Sequence, residues 1–366
     1  MKKLALVLGS LLVVGSVASA KEVMPAPTPA PEKVVEYVEK PVIVYRDREV
    51  APAWRPNGSV DVQYRWYGSV ENRTPKKEDS TSPWLGDNVN AGRLQTETKV
   101  NFTKNQSLEV RTRNYHTLMS EKDSQADKDQ LRLRHFYKFG KLGSSKIDAT
   151  SRLEYKQAGN DGGKQVEASV FFDFADYIYS SNFFKADKFG FRVGYQHKWA
   201  GHDSGDVGQS FSKGTQDNYL INFESEYTLP WGFGAELNAY NRYNVHNKKF
   251  ATDKGDKKSQ FWGEIEAHLN QHTPLYKTNN VELSFDFEGG YDPYIWHQYK
   301  VVGSKDHNKY EVYMLPTFQV AYKPTDFVKL YAAAGAEYRN WAVTAESKAK
   351  NWRWQPTAWA GMKVTF

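Results

Sequence analysis

Residues that could do metal or acid–base chemistry are few. His197 and His202 stand near Asp203 and Asp206, and His268 and His272 lie four residues apart. Neither spacing is a recognised zinc-ligand pattern, so both groups read as solvated histidines at strand ends. Gly232-Phe233-Gly234 opens a β-patterned stretch, not a helix, and cannot cradle a dinucleotide. Asp253 and Asp256, like Asp203 and Asp206, would hold a divalent cation weakly or belong to a hydrolytic site, but such spacing is routine in exposed loops. With no cysteine in 366 residues, disulfides and thiolate metal sites are excluded. The chain reads as a non-enzyme without cofactor or metal, whose chemistry must lie in rows of charge.

Those rows come from period-two alternation, the mark of strands. In Arg93-Leu94-Gln95-Thr96-Glu97-Thr98-Lys99-Val100-Asn101-Phe102, Leu94, Val100 and Phe102 share one face and Arg93, Gln95, Glu97, Lys99 and Asn101 the other. The pattern recurs in fourteen segments, at about 58–68, 92–103, 107–118, 129–140, 146–157, 165–175, 188–199, 217–229, 232–246, 259–270, 280–291, 309–322, 327–340 and 354–366. Most are about twice the usual strand length and long enough to cross a bilayer when tilted. The breaks after the second, fourth, eighth and twelfth segments are tight, whereas most of the others are longer and rich in Lys, Asp, Gly and Asn. An even strand count with short turns at one end and long loops at the other predicts an all-β, transmembrane antiparallel up-and-down β-barrel, with short periplasmic turns and longer outer loops. Sixteen strands would result if residues 175–187 or the N-terminal segment supplied another hairpin.

The flanks agree with export to an outer membrane. Lys2 and Lys3, the apolar run Leu4 to Val17 and Ala18-Ser19-Ala20 compose a signal peptide, with cleavage expected between Ala20 and Lys21. Residues 21–56 hold Pro25-Ala26-Pro27-Thr28-Pro29-Ala30-Pro31, a polyproline II spacer, then a β-prone charged stretch at 33–48, read as a periplasmic tether or a plug. The barrel domain is expected over 57–366. Aromatics gather near strand ends, among them Trp66, Tyr67, Tyr137, Phe139, Trp199, Tyr227, Trp231, Tyr243, Tyr291, Tyr322, Tyr338, Trp341 and Trp354, where headgroup-level girdles form. Met362, Val364 and the terminal Phe366 alternate on one face, as in a barrel-insertion signal. The formal charge of +6 is too mild to point to nucleic acid.

On the polar face the charges segregate. The second to fifth segments present a basic wall of Arg93, Lys99, Arg111, Arg113, Arg132, Arg134, Lys138, Arg152 and Lys156 against Glu97, Glu109, Asp148 and Glu154. The eighth to twelfth present an acidic wall of Glu224, Glu226, Glu236, Glu264, Glu266, Glu282, Asp286, Glu288 and Glu311 against Arg242. In a ring of fourteen the two walls face each other, and a dry interior could not hold so many like charges. A water-filled lumen with a transverse field would pass small hydrophilic solutes and ions, which predicts a general diffusion porin. Pairing of the two walls across a closed interior, giving a purely structural barrel, is the alternative reading of the same rows. A second class of function is an adhesin whose long loops, at 71–90, 200–216 and 292–308, bind other cells or host proteins. Tyr291-Asp292-Pro293-Tyr294-Ile295-Trp296-His297 is the candidate for a loop folded into the lumen, with the 200–216 loop close behind.

The leader MKKLALVLGS, the segment KEVMPAPTPAPEKVVEYVEKPVIVYRDREVAPAWRPNGSVDVQYRWYG and the strand pair AGRLQTETKVNFTKNQSLEVRTRNYHTL make the chain similar to the fusobacterial major outer-membrane porin family. That resemblance implies an abundant, non-specific, voltage-responsive porin, a homotrimer in outer-membrane lipid that also takes part in adhesion between cells. Ala332, Ala334, Ala336, Ala358 and Ala360 form a candidate patch for such a trimer.

Overall fold

The computed structural model describes residues 33–38, 42–47, 54–71, 91–117, 129–158, 163–199, 214–300, 312–340 and 352–366, with backbone alone for 33–38, 42–47 and 292–295. The signal peptide with its Ala20/Lys21 junction, the proline spacer, His202, Asp203, Asp206, Glu311, Trp341, most of the 71–90 and 200–216 loops and residues 301–308 of the 292–308 loop lie outside the described residues. Two units separate at Trp54 and Arg55. In the first, β1 (Lys33–Val38) pairs antiparallel with β2 (Val42–Asp47), from Lys33 opposite Asp47 to Val38 opposite Val42. The expected tether thus contains a hairpin, in a two-stranded sheet of its own.

The second unit is a closed barrel of fourteen antiparallel strands. They are β3 (Asn57–Tyr67), β4 (Ala91–Asn101), β5 (Gln106–Thr117), β6 (Gln130–Lys141), β7 (Asp148–Ala158), β8 (Lys164–Asp173) and β9 (Lys185–Trp199). After them come β10 (Thr215–Thr228), β11 (Phe233–Phe250), β12 (Lys257–Lys277), β13 (Val281–His297), β14 (Val312–Thr325), β15 (Val328–Asn340) and β16 (Trp352–Thr365). Each pairs with its sequence neighbours, and β16 returns to β3, from Thr357 opposite Tyr67 to Thr365 opposite Ser59. The terminal residue completes the seam: Gly58 N–H donates to the Phe366 carbonyl at 2.8 Å and Phe366 N–H to the Gly58 carbonyl at 3.0 Å. Gly58 must be small here, because a Cβ would sit 2.3 Å from the Lys99 carbonyl oxygen and 2.8 Å from the Phe366 ring.

All fourteen alternating segments become barrel strands, and the sixteen-strand alternative does not occur. Crossing a bilayer twice takes two strands of about nine to eleven residues, more than 175–187 contains. That segment instead makes a 3-10 turn at Ala175–Tyr177 and an isolated bridge between Ser181 and Phe184. Neighbouring turns lock onto it: Lys141 hydrogen-bonds Asp176, and Lys146 N–H donates to the Tyr177 hydroxyl at 3.1 Å. The contact with Lys141 holds the Asp176 carboxyl below the usual aspartate range. The reversal at Pro230–Gly232 places Trp231 at φ 59° and Gly232 at φ 76°. A non-glycine residue there carries strain, and the indole it turns outward is 81 % exposed at the short-turn rim.

β12 and β13 outrun their expected ends at 270 and 291, because the two strands go on pairing in both directions. Tyr291 to His297 is therefore not a loop folded into the lumen. After a register shift between Ile265 and Ala267 it continues as strand, with His297 opposite Trp262 and Trp296 opposite Gly263. The Trp296 ring packs against Phe261 on the outer surface, 5.8 Å between centroids.

Burial along the strands is inverted relative to a soluble protein. On β10, Asn218, Leu220 and Asn222 are 0, 4 and 6 % exposed, whereas the intervening Tyr219 and Ile221 are 56 and 60 % exposed. Apolar side chains that face outward in this way meet hydrocarbon, which also explains why the sheet closes: unpaired backbone groups cannot sit in lipid. At the middle of β10 the two faces should therefore respond oppositely to charge. Ile221→Arg is expected to lower folding stability in lipid vesicles by about 2–4 kcal/mol and Asn222→Arg by much less, read from urea unfolding with heat-modifiable gel mobility as the check on closure.

Candidate functional site

The cross-strand register fixes which side chains share the enclosed face. One row runs Asp61, Glu97, Arg111, Arg132, Lys156 across β3 to β7, each residue directly opposite the next. The adjacent row runs Ser59, Lys99, Glu109, Arg134, Glu154, Glu167 across β3 to β8. Arg93 and Arg113 continue the same face on β4 and β5, and Arg152, opposite Phe136 and Ser169, continues it on β7. On the far side of the ring, Glu226 faces Glu236, Glu236 faces His268, and Glu266 faces Asn238. Glu264 lies opposite Tyr240, and Glu282, Asp286 and Glu288 follow on β13 opposite Lys277, His272 and Asn270. Residues assigned from sequence to the basic and acidic walls thus share one face of one closed sheet.

Local pairing is richer than the sequence suggested. Arg134 binds Glu154 and Arg152 binds Glu167, both at 2.5 Å between neighbouring strands. Glu224, at one edge of the acidic group, is bound by Arg192 at 2.5 Å and Lys188 at 2.7 Å, and Lys188 also reaches Glu226 at 3.2 Å. Arg192, Lys188 and Glu167 were not singled out in the sequence, although their parity on β8 and β9 marks them as inward. Glu264 faces Arg242 at 3.8 Å, and Glu288 accepts from the Tyr313 hydroxyl at 2.7 Å. Among the described residues no ion pair crosses the barrel; each joins neighbouring strands, one strand or adjoining turns.

Aromatic rings brace several of these cations. Arg242 lies 4.1 Å from the Trp262 ring, Arg192 5.2 Å from Phe171, and Arg65 4.7 Å from Tyr67 and 4.9 Å from Trp359. Such stacking fixes a guanidinium without neutralising it. Tyr67 is consequently no part of an outer girdle: it is 7 % exposed on the enclosed face, packed with Ala91 and Tyr115. Phe139, Trp199, Trp231, Tyr243, Tyr322 and Trp354 do stand exposed on the outside.

The histidines have ordinary partners. His197 faces outward and shares Asp217 with the Tyr195 hydroxyl, each at 2.6 Å. His268 meets the Tyr313 hydroxyl at 3.0 Å, and His272 lies between Asp286 at 2.5 Å and Glu282 at 3.5 Å. Asp253 accepts from Lys300 N–H at 3.1 Å as part of a loop contact.

A closed barrel with an oily exterior and an ionic interior is an outer-membrane protein. No family model matches this chain, and no curated protein matches it. Among solved structures it is similar to a bacterial polysaccharide outer membrane secretin, at 10 % identity over 84 % of this chain and 98 % of that one, TM-score 0.39. It is similar also to the outer membrane channel DcaP of Acinetobacter baumannii, at 9 % identity over 85 % and 96 %, TM-score 0.37. A third is the NanC porin, at 8 % identity over 84 % and 98 %, TM-score 0.35.

The buried Arg192–Glu224 pair makes the local balance of charge measurable. Glu224→Gln leaves the guanidinium uncompensated and is expected to cost about 3 kcal/mol. The double variant Glu224→Gln/Arg192→Gln should recover most of that loss in the same urea titration.

Proposed function

We propose that the chain is a general diffusion porin, passing small hydrophilic solutes and ions through a water-filled lumen between a basic and an acidic wall. The observation that carries this reading is the inverted burial, with ionic rows on the enclosed face and no ion pair across it among the described residues. Fourteen strands about 4.8 Å apart and tilted by about 40° enclose a ring about 28 Å across between backbones. An arginine and a glutamate stretched toward each other from opposite walls span less than about half of that. Water is the medium that fits the remainder, since like charges without a carboxylate partner, such as Arg111 opposite Arg132, are tolerable only when solvated.

The resemblance to fusobacterial major porins is in keeping with this reading and adds a trimer to it. Ala332, Ala334 and Ala336 on β15 face the same side as Ala360, Ala358 and Pro356 on β16, their direct partners, so a second copy could approach that face closely. In this reading the β1–β2 hairpin lies on the periplasmic side as a tether, and the long loops carry whatever surface recognition the protein has.

Two measurements test the porin. Purified protein in planar bilayers is expected to give discrete conductance steps, and a silent membrane holding folded barrels overturns the reading. Because the natural chain has no cysteine, single replacements report each face without background. Glu266→Cys should react with a membrane-impermeant thiol reagent, and a label at Ile265→Cys should be quenched from within the lipid; the reverse pattern would remove the lumen.

A further inference from the structure

Two kinds of arginine line the basic wall. Arg134 and Arg152 are matched by carboxylates, as described above. Arg93, Arg111 and Arg113 are held by glutamine oxygens instead: an Arg93 terminal nitrogen donates to Gln63 Oε1 at 3.2 Å, an Arg111 terminal nitrogen to Gln130 Oε1 at 2.8 Å, and Arg113 Nε to Gln95 Oε1 at 2.8 Å. Arg132 makes no hydrogen bond or ion pair among the described residues. An amide oxygen orients a guanidinium fork and leaves its charge standing, whereas a carboxylate cancels it.

These four side chains are contiguous. Arg111 and Arg132 are direct cross-strand partners, Arg113 is two residues from Arg111 on β5, and Arg93 lies diagonally from Arg113, whose neighbour Tyr115 is its direct partner. Direct partners have Cβ atoms about 5 Å apart and diagonal ones about 7–8 Å, so the guanidiniums form a ladder. Arg93 is 8 % exposed, and its Nε, like those of Arg111 and Arg152, is buried without a partner; the half-buried Arg111, Arg113 and Arg132 are the members of the ladder open to the lumen. Glu97 shares the Arg111 row but makes no ion pair with it, and the row's other carboxylate, Asp61, is occupied by the Tyr331 hydroxyl at 2.6 Å.

We infer that this glutamine-held ladder is a binding site for small solutes carrying two or more oxyanion groups, carboxylate or phosphate. A fork left with free N–H donors matches a carboxylate or phosphate bidentately. Two such groups on one molecule would bridge neighbouring guanidiniums and relieve their repulsion, which a monovalent anion cannot do. The site faces the lumen, so the ligand is a solute in transit and not a lipid headgroup. The inference rests on the porin reading and makes it more specific.

The test is block of KCl current through single pores by added pyrophosphate or citrate, at about 0.1 M KCl, where screening extends over about 10 Å. Wild type should show concentration-dependent block. In Arg111→Gln/Arg132→Gln the half-blocking concentration should rise at least tenfold. Gln95→Glu/Gln130→Glu keeps every arginine but supplies the missing carboxylates, and should weaken block in the same direction. Lys329→Gln/Lys363→Gln removes the same charge from direct partners on β15 and β16 and should change block less than threefold. Gel mobility without heating confirms that each variant is closed. Conductance steps with no block, or equal loss of block in the arginine and lysine variants, would overturn the site while leaving the porin intact. If no variant conducts, the porin reading fails, and equilibrium dialysis of pyrophosphate against folded protein in detergent decides the site: retention by wild type and not by Arg111→Gln/Arg132→Gln supports it, and no retention overturns it.

Discussion

Hydrocarbon offers a peptide N–H nothing to bond to, and each group left unsatisfied there costs several kcal/mol. A β-sheet can meet that constraint only by having no edge, and in this chain the requirement reaches the final residue. The reciprocal hydrogen bonds between Phe366 and Gly58 complete the pairing of β16 with β3. Once the ring is closed, the rest follows from parity: each strand must turn one row of side chains to lipid and the other to whatever is enclosed. The exposed rows, with Tyr219, Ile221, Phe318 and Val320 among them, are those the alternation puts outside.

The enclosed rows then face an electrostatic problem that the backbone does not solve. Charges brought together on one curved wall are stabilised by partners on neighbouring strands, by aromatic faces or by water. This barrel uses the first at Arg134, Arg152 and Arg192, and the second at Arg65 and Arg242. Amide oxygens position Arg93, Arg111 and Arg113 without lowering their charge. The difference between a glutamate and a glutamine beside an arginine is one atom in size and a whole charge in effect, so a few substitutions could retune such a wall without touching the fold.

Most of the architecture was legible because alternation is a property of single strands and needs no knowledge of partners. All fourteen strands and the face of each described residue assigned to the two walls, Glu311 lying outside them, follow from parity and from turn composition. Pairing partners were harder to read. Glu224 looks free along its own strand, and only register shows Lys188 and Arg192 beside it. Tyr67 resembles a girdle residue by its position near a strand end, but an odd number in β3 puts it on the enclosed face with Asp61 and Arg65. The reach of β12 and β13 is hidden because residues 271–277 and 292–297, at opposite ends of the pair, do not carry the clear alternation although pairing continues through them.

Thirteen of the barrel's pairings join strands adjacent in sequence, and one, at the seam, joins Val62 to Met362. The adjacent pairings can form hairpin by hairpin as the chain is made, each at the small entropic loss of a short loop. The seam must wait for the last residues and bring together positions three hundred apart. Until then the molecule is an open sheet with two raw margins, the form in which β-proteins recruit one another into aggregates. For this topology, the two margins stay open until residue 366 reaches Gly58.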